Sequence, residues 1–159
     1  MASNHKSNLD PIILGVASPR HLNFMAKREL FGRGFIPWLI SRLGAFPVRR
    51  NTADLTAIKE AMRRLKNNKG LVLFPEGSRS ENDTAQSVYP GIAFLALRAG
   101  VPVVPAFIRG SEEALPKGAE HLRPRRISVY FGAQITMERR MPYDQFTRKV
   151  MESIRHLSC

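Results

Sequence analysis

Leu71-Val72-Leu73-Phe74-Pro75-Glu76-Gly77-Ser78-Arg79-Ser80 is the run on which the reading of this chain turns. Its first four residues are continuously apolar, as in a strand buried on both faces, whereas a strand with one wet face alternates. Such a strand needs helices on both sides of its sheet, so the run predicts an α/β layered fold. Ligands of open α/β sheets bind beyond the carboxyl ends of the strands, and residues 75–80 would lie there. Gly77 lets a backbone approach a ligand closely, and Ser78 and Arg79 can donate to phosphate oxygens.

The flanking sequence repeats this alternation of elements. Upstream, Leu55, Ile58, Met62 and Leu65 recur every three or four residues, with Lys59, Arg63, Arg64 and Lys66 mostly on the other face. This predicts an amphipathic helix capped by Thr52 and ended by Asn67 to Gly70. Before it, Gly44 to Val48 reads as a short strand that delivers Arg49 and Arg50 to its end. Downstream, Gly91 to Ala99 reads as a helix, and Val101 to Ile108 as a second buried strand with its prolines at the start or at a bulge. Ile127 to Phe131 alternates as a strand. Pro142 opens a last helix with Phe146, Val150, Ile154 and Leu157 inward. Towards the N-terminus, Leu9 to Ala17 reads as a helix, His21 to Ala26 as a strand and Lys27 to Phe31 as a turn. Phe35 to Leu43 is the most apolar helix and carries the only tryptophan, Trp38, with Arg33 and Arg42 flanking it. It is expected to be a core helix, with a helix lying in a lipid interface as the competing reading. The whole predicts a single α/β domain over 1–159, with a mixed, largely parallel central sheet flanked by helices.

The bulk numbers narrow the function classes. The chain has 159 residues, 43% of them hydrophobic, enough for a core. Its net charge of +12 calls for an anionic partner: nucleic acid, an anionic membrane or a phosphorylated substrate. No nucleic-acid motif is present and few aromatics interleave the basic runs, so nucleic acid is not the expected partner. The one cysteine, Cys159, excludes an internal disulfide and a cysteine-rich metal site, and suits a reducing compartment. No run of about 18 apolar residues and no secretory signal pattern occurs. His21, His121 and His156 lack metal-ligand spacing, and there is neither a P-loop nor a Gly-x-Gly-x-x-Gly.

Candidate chemistry begins at Asn4-His5-Lys6-Ser7-Asn8-Leu9-Asp10, where four residues separate a histidine from an aspartate. A neutral imidazole suits proton transfer near pH 7, and a carboxylate on its other nitrogen fixes the tautomer and steadies the imidazolium. Residues five apart on one helix point about 140° from each other, so the pair can meet only if His5 sits in a loop and Asp10 opens a helix. Ser7 or Asn8 would cap that helix and Pro11 fits its first turn. A capped loop without catalysis reads equally well from this stretch alone. Arg50, after the strand at 44–48, offers a planar fork to phosphate. Ser78 as a nucleophile with His5 and Asp10 fits poorly, because a nucleophile elbow needs Gly-x-Ser-x-Gly and Ser80 stands where the second glycine belongs.

Four ordered blocks carry a resemblance to the glycerolipid acyltransferases, in particular the 1-acyl-sn-glycerol-3-phosphate (lysophosphatidic acid) acyltransferases. Asn4-His5 through Asp10 resembles the family's His-x4-Asp motif. Gly44 to Arg50 resembles its second block, Phe74 to Ser80 its third and most specific, and Val101 to Pro105 its fourth. The resemblance implies that His5 is the general base and Asp10 its orienting partner. It implies that Arg50, Glu76, Gly77, Ser78 and Arg79 hold the glycerol phosphate, and that Pro105 shapes the pocket. The implied substrates are lysophosphatidic acid and an acyl thioester on CoA or acyl carrier protein, with no cofactor or metal. The implied location is peripheral, on the cytoplasmic side of an anionic membrane. Acylation of another lyso-lipid, or a non-catalytic lipid-binding fragment, are the alternatives. Two departures stand out. Only Met1-Ala2-Ser3 precede the first block, so an N-terminally truncated domain with no strand to hold His5 is expected. Tyr89-Pro90 also stand before Gly91 where a basic residue is usual.

Overall fold

The computed structural model describes residues 1–49, 54–75, 91–116, 118–119 and 121–158, the side chain of Ile36 excepted. Its strands are β1 (Ala2–Ser3), β2 (Leu22–Lys27), β3 (Ala45–Val48), β4 (Gly70–Val72), β5 (Pro105–Arg109) and β6 (Ser128–Phe131). Its helices are α1 (Asp10–Ala17), α2 (Phe35–Arg42), α3 (Leu55–Lys66), α4 (Gly91–Ala99), the single turn α5 (Ser111–Ala114) and α6 (Tyr143–His156). The strands pair as β3-β2-β4 and β1-β5-β6. A parallel bridge between Ala2 and Leu73 joins the two groups. The order across the sheet is therefore β3-β2-β4-β1-β5-β6, parallel except for β6, which runs antiparallel to β5. The α/β class, with its mixed, largely parallel sheet between helices, is thus the one the sequence predicts.

The pleat sends successive residues to opposite faces, and the core shows it. On one face Val72, Ala106 and Ile108 pack with Leu14 of α1, while Ile13, Phe31, Ile40 and Phe74 close in around them. On the other, Leu71 and Phe46 pack with α3 and α4 through Ala57, Ala61 and Leu95. Beside them Ala2 and Val103 pack with α4 and α6 through Ile92, Ala96, Phe146, Val150 and Ile154. The inward stripe of α6 matches its sequence pattern, except that Leu157 is the C-cap and only partly buried.

Four local expectations need correction. α1 has Leu9 as its N-cap, without a side-chain cap bond, so neither Ser7 nor Asn8 caps it. α3 is capped by Asp54, whose carboxylate accepts from the Thr56 and Ala57 N–H groups; Thr52 lies outside the described residues. α2 is not a core helix, because Phe35 is 67% and Trp38 55% exposed. His5 does have a strand to hold it. The Ala2 N–H donates to Val104 O, Leu73 N–H to Met1 O and Ser3 N–H to Leu73 O, seating β1 between β4 and β5. Among the described residues, no helix is long and apolar enough to cross a membrane.

Candidate active site

β1 runs parallel to β5, pairing Ala2 with Pro105 and Ser3 with Ala106. Where the regular pairing stops, the Asn4 side chain continues it. Asn4 Nδ2 donates to Ile108 O at 2.9 Å, and Ile108 N donates to Asn4 Oδ1 at 2.8 Å. An amide side chain thus stands in for a backbone peptide and satisfies both polar groups of a buried strand residue. Farther on, Ser7 Oγ donates to Leu115 O at 2.9 Å. These two anchors hold the ends of a short loop, and His5 lies between them at the carboxyl edge of the sheet.

Asp10 opens α1 and is fully buried. Its Oδ2 accepts three hydrogen bonds: from His5 Nδ1 at 2.8 Å, Lys6 N at 2.7 Å and Ser7 N at 2.8 Å. The loop is therefore wound around one carboxylate oxygen, while Oδ1 is buried with no partner among the described residues. With its Nδ1 hydrogen on Asp10, the imidazole carries its lone pair on Nε2. The His5 ring also stacks on Phe74, with centroids 4.1 Å apart and planes 21° apart. Its side chain keeps 13% of its surface, which leaves a narrow opening to the ring. The ring is thus fixed by a hydrogen bond at one edge and an aromatic face below, geometry suited to a positioned proton acceptor.

Of the sequence-predicted site residues, the structure brings His5 and Asp10 together. Arg50, Glu76, Gly77, Ser78 and Arg79 lie outside the described residues, as do Tyr89 and Pro90. Their described neighbours are informative. Phe74, the first residue of the third block, lies directly beneath His5. Arg49 leaves the end of β3 at the same edge, two strands or about 10 Å from β4. Its N–H donates to Asp54 at 2.9 Å. That bond, followed by the Ala57 N–H, holds the Asp54 carboxyl below its usual range. Pro105 is fully buried at the start of β5, beside Gly132. It pairs with Ala2, three residues before His5. Asn4 and Phe74 are the residues sequence reasoning missed as site components. Both stand inside quoted blocks, but only long-range pairing reveals what they do.

A mixed, largely parallel α/β sheet with a histidine–aspartate pair at its carboxyl edge defines the class of this protein. The chain belongs to the Acyltransferase family, which it matches over residues 1–109. It is 36% identical over 112 residues to the 1-acyl-sn-glycerol-3-phosphate acyltransferase of Streptococcus pneumoniae, covering 69% of this chain and 41% of that protein. It is 29% identical over 115 residues to the lyso-ornithine lipid O-acyltransferase of Pseudomonas aeruginosa, covering 72% and 44%. The crystal structure of the 1-acyl-sn-glycerophosphate acyltransferase of Thermotoga maritima superposes with a TM-score of 0.80 at 27% identity, covering 99% of this chain and 64% of that one. The chain spans less than half the length of these two curated relatives.

Proposed function

We propose that this chain carries the active site of an enzyme that acylates 1-acyl-glycerol-3-phosphate to phosphatidic acid, using an acyl thioester of CoA or acyl carrier protein. The observation that carries the proposal is the 2.8 Å bond between His5 Nδ1 and a buried Asp10 at the carboxyl edge of the sheet. In this reading Nε2 takes the proton of the acceptor hydroxyl as that oxygen attacks the thioester carbonyl carbon. The tetrahedral intermediate collapses with cleavage of the C–S bond. The imidazolium returns its proton to the leaving thiolate, and Asp10 stabilises the cation in between. A thioester is already activated, so the proposed reaction uses no covalent enzyme intermediate, metal or cofactor. Arg50, Glu76, Gly77, Ser78 and Arg79 hold and position the glycerol phosphate of the acceptor, as their match to the family's second and third blocks implies. The enzyme works peripherally, on the cytoplasmic side of an anionic membrane.

Thiol release from acyl-CoA or acyl carrier protein, with and without lysophosphatidic acid, tests this. His5→Ala should lower turnover by roughly 10²–10⁴-fold while the fold survives. Full turnover by a folded His5→Ala chain refutes the mechanism. The likeness to the Pseudomonas aeruginosa protein favours a second reading, acylation of another lyso-lipid. Acceptors with and without a phosphate separate the two, because Arg50→Ala should raise KM only for a phosphorylated acceptor. Lipid binding without any thiol release would mark a non-catalytic fragment.

A further inference from the structure

After β2 the chain leaves the carboxyl edge through a 3-10 turn, Arg28–Leu30, and reaches α2 at Phe35. Large apolar side chains here face outward: Leu30 at 48%, Phe35 at 67%, Trp38 at 55% and Leu43 at 37% exposure. Phe35, Trp38 and Arg42 recur at three and four residues, so they form one stripe of the helix. The side chains of the stripe meet one another. The Phe35 and Trp38 rings are tilted with centroids 5.7 Å apart, and the Arg42 guanidinium sits 5.8 Å from the Trp38 ring. Residues 27–43 carry Lys27, Arg28, Arg33 and Arg42 against one acid, Glu29.

The inner side of the same segment supports the candidate active site. Phe31 and Ile40 pack into the cluster that contains Leu14, Phe24 and Phe74, and Phe74 is the ring stacked on His5. Aromatic side chains outward, cations around them and a net charge of +12 describe a surface complementary to anionic headgroups over an apolar layer.

We propose that the stripe Leu30, Phe35, Trp38 and Arg42, with Arg28 and Arg33 beside it, docks into the headgroup–acyl boundary of an anionic lipid bilayer. The aromatic rings enter the acyl boundary, and the arginines keep their heads among the phosphates. Docking brings the carboxyl edge of the sheet to the leaflet, where a lyso-lipid acceptor arrives by lateral diffusion. This use of the surface rests on the acyl-transfer reading; the docking itself does not.

Trp38 is the only tryptophan, so its emission reports on α2 alone. With phosphatidylcholine vesicles that contain phosphatidylglycerol, emission should shift to the blue and be quenched by bromine-labelled acyl chains. Pure phosphatidylcholine should give far less, and high salt should weaken the effect. Phe35→Ala/Trp38→Ala should lower co-sedimentation with anionic vesicles at least about tenfold. The same variant should keep its turnover of a short-chain lysophosphatidate free in solution. Arg33→Glu/Arg42→Glu should lose binding similarly. Unchanged Trp38 emission on vesicle-bound protein, or unchanged sedimentation of the aromatic double variant, overturns the proposal. So does blue emission without lipid that reddens on dilution, which would assign the face to a second copy of the chain. Vesicle quenching of Trp38 in a protein that releases no thiol from any acyl donor would support the docking surface and refute the acyl-transfer reading.

Discussion

Asp10→Asn separates the two jobs of the carboxylate. Oδ2 anchors the loop through Lys6 N and Ser7 N and orients His5 through Nδ1. An asparagine that keeps its carbonyl oxygen in the Oδ2 position retains both backbone bonds. Its NH2 group then occupies the Oδ1 position, which is buried and has no partner among the described residues. Unsatisfied donors there cost about 1–3 kcal/mol. For a chain of this size that is a Tm lower by roughly 3–10 °C. The chemical loss is separate. A hydrogen bond from imidazolium to a carboxylate contributes about 1 kcal/mol or more beyond its neutral counterpart, and one carbonyl shared by three donors holds the tautomer less firmly. Together these predict a kcat lower by about 10- to 10³-fold with little change in acceptor KM. The assay is steady-state thiol release with kcat and KM resolved, beside a thermal melt. In a His5→Ala background the same change should cost little further activity, because the pair acts as a unit. A variant with lowered Tm but undiminished kcat would refute the reasoning and leave Asp10 as a loop anchor only.

Asn4→Ala removes both bonds to Ile108 and leaves a buried N–H and C=O unpaired, so urea melts should show a loss of about 2–4 kcal/mol. A loss below about 0.5 kcal/mol would mean that water replaces the amide without difficulty. Gly110 has φ +88, and a Cβ there would clash with the Arg126 carbonyl oxygen. Gly110→Ala should therefore destabilise by about 2 kcal/mol or more, and an unchanged melt would contradict that contact. The Glu60 carboxyl is lowered from 4.5 to about 2, first by its hydrogen bond with the Arg63 guanidinium and then by Arg64. A depressed acid stabilises above its unfolded pKa and stops doing so as pH falls through its folded one. The contribution should be complete above about pH 5 and gone near pH 2; because the pair is exposed it amounts to only about 0.5–1 kcal/mol. Glu60→Gln should remove that part of the acid limb of a stability–pH curve, and an unaltered limb would count against the pair.

Much of the fold is legible in local pattern. The apolar run at 71–74 announces a sheet covered on both faces, and the periodicity of α6 names Phe146, Val150 and Ile154, which the structure buries. In α3 the pattern is only partly right: Ala57 and Ala61 are the buried residues, Ile58, Met62 and Leu65 are half-buried beside them, and Leu55 is exposed. The His5–Asp10 spacing is legible because it closes within one loop and the start of one helix. The caps are less so. Asp54, Thr52 and Ser7 are all competent cap residues, and the choice among them depends on where the entering chain is held. β1 escapes local reading altogether, since two residues show no period, and its identity lies in pairing with partners about 70 and 100 positions away.

By itself the sequence determined the α/β class, the inward face of α6 and the presence of a histidine and an aspartate within reach of each other. These depend on chemistry between near neighbours in the chain. Tertiary structure alone decided that Ala2 and Ser3 form a central strand, that Asn4 takes the place of a peptide against Ile108, and that Phe74 lies under the imidazole. It also decided which side of α2 meets solvent: Ile40 turns to the core while Phe35 and Trp38 turn away from it. Composition states how apolar a helix is; only its partners state which face they cover, because burial is a property of the assembled surface and not of the residue.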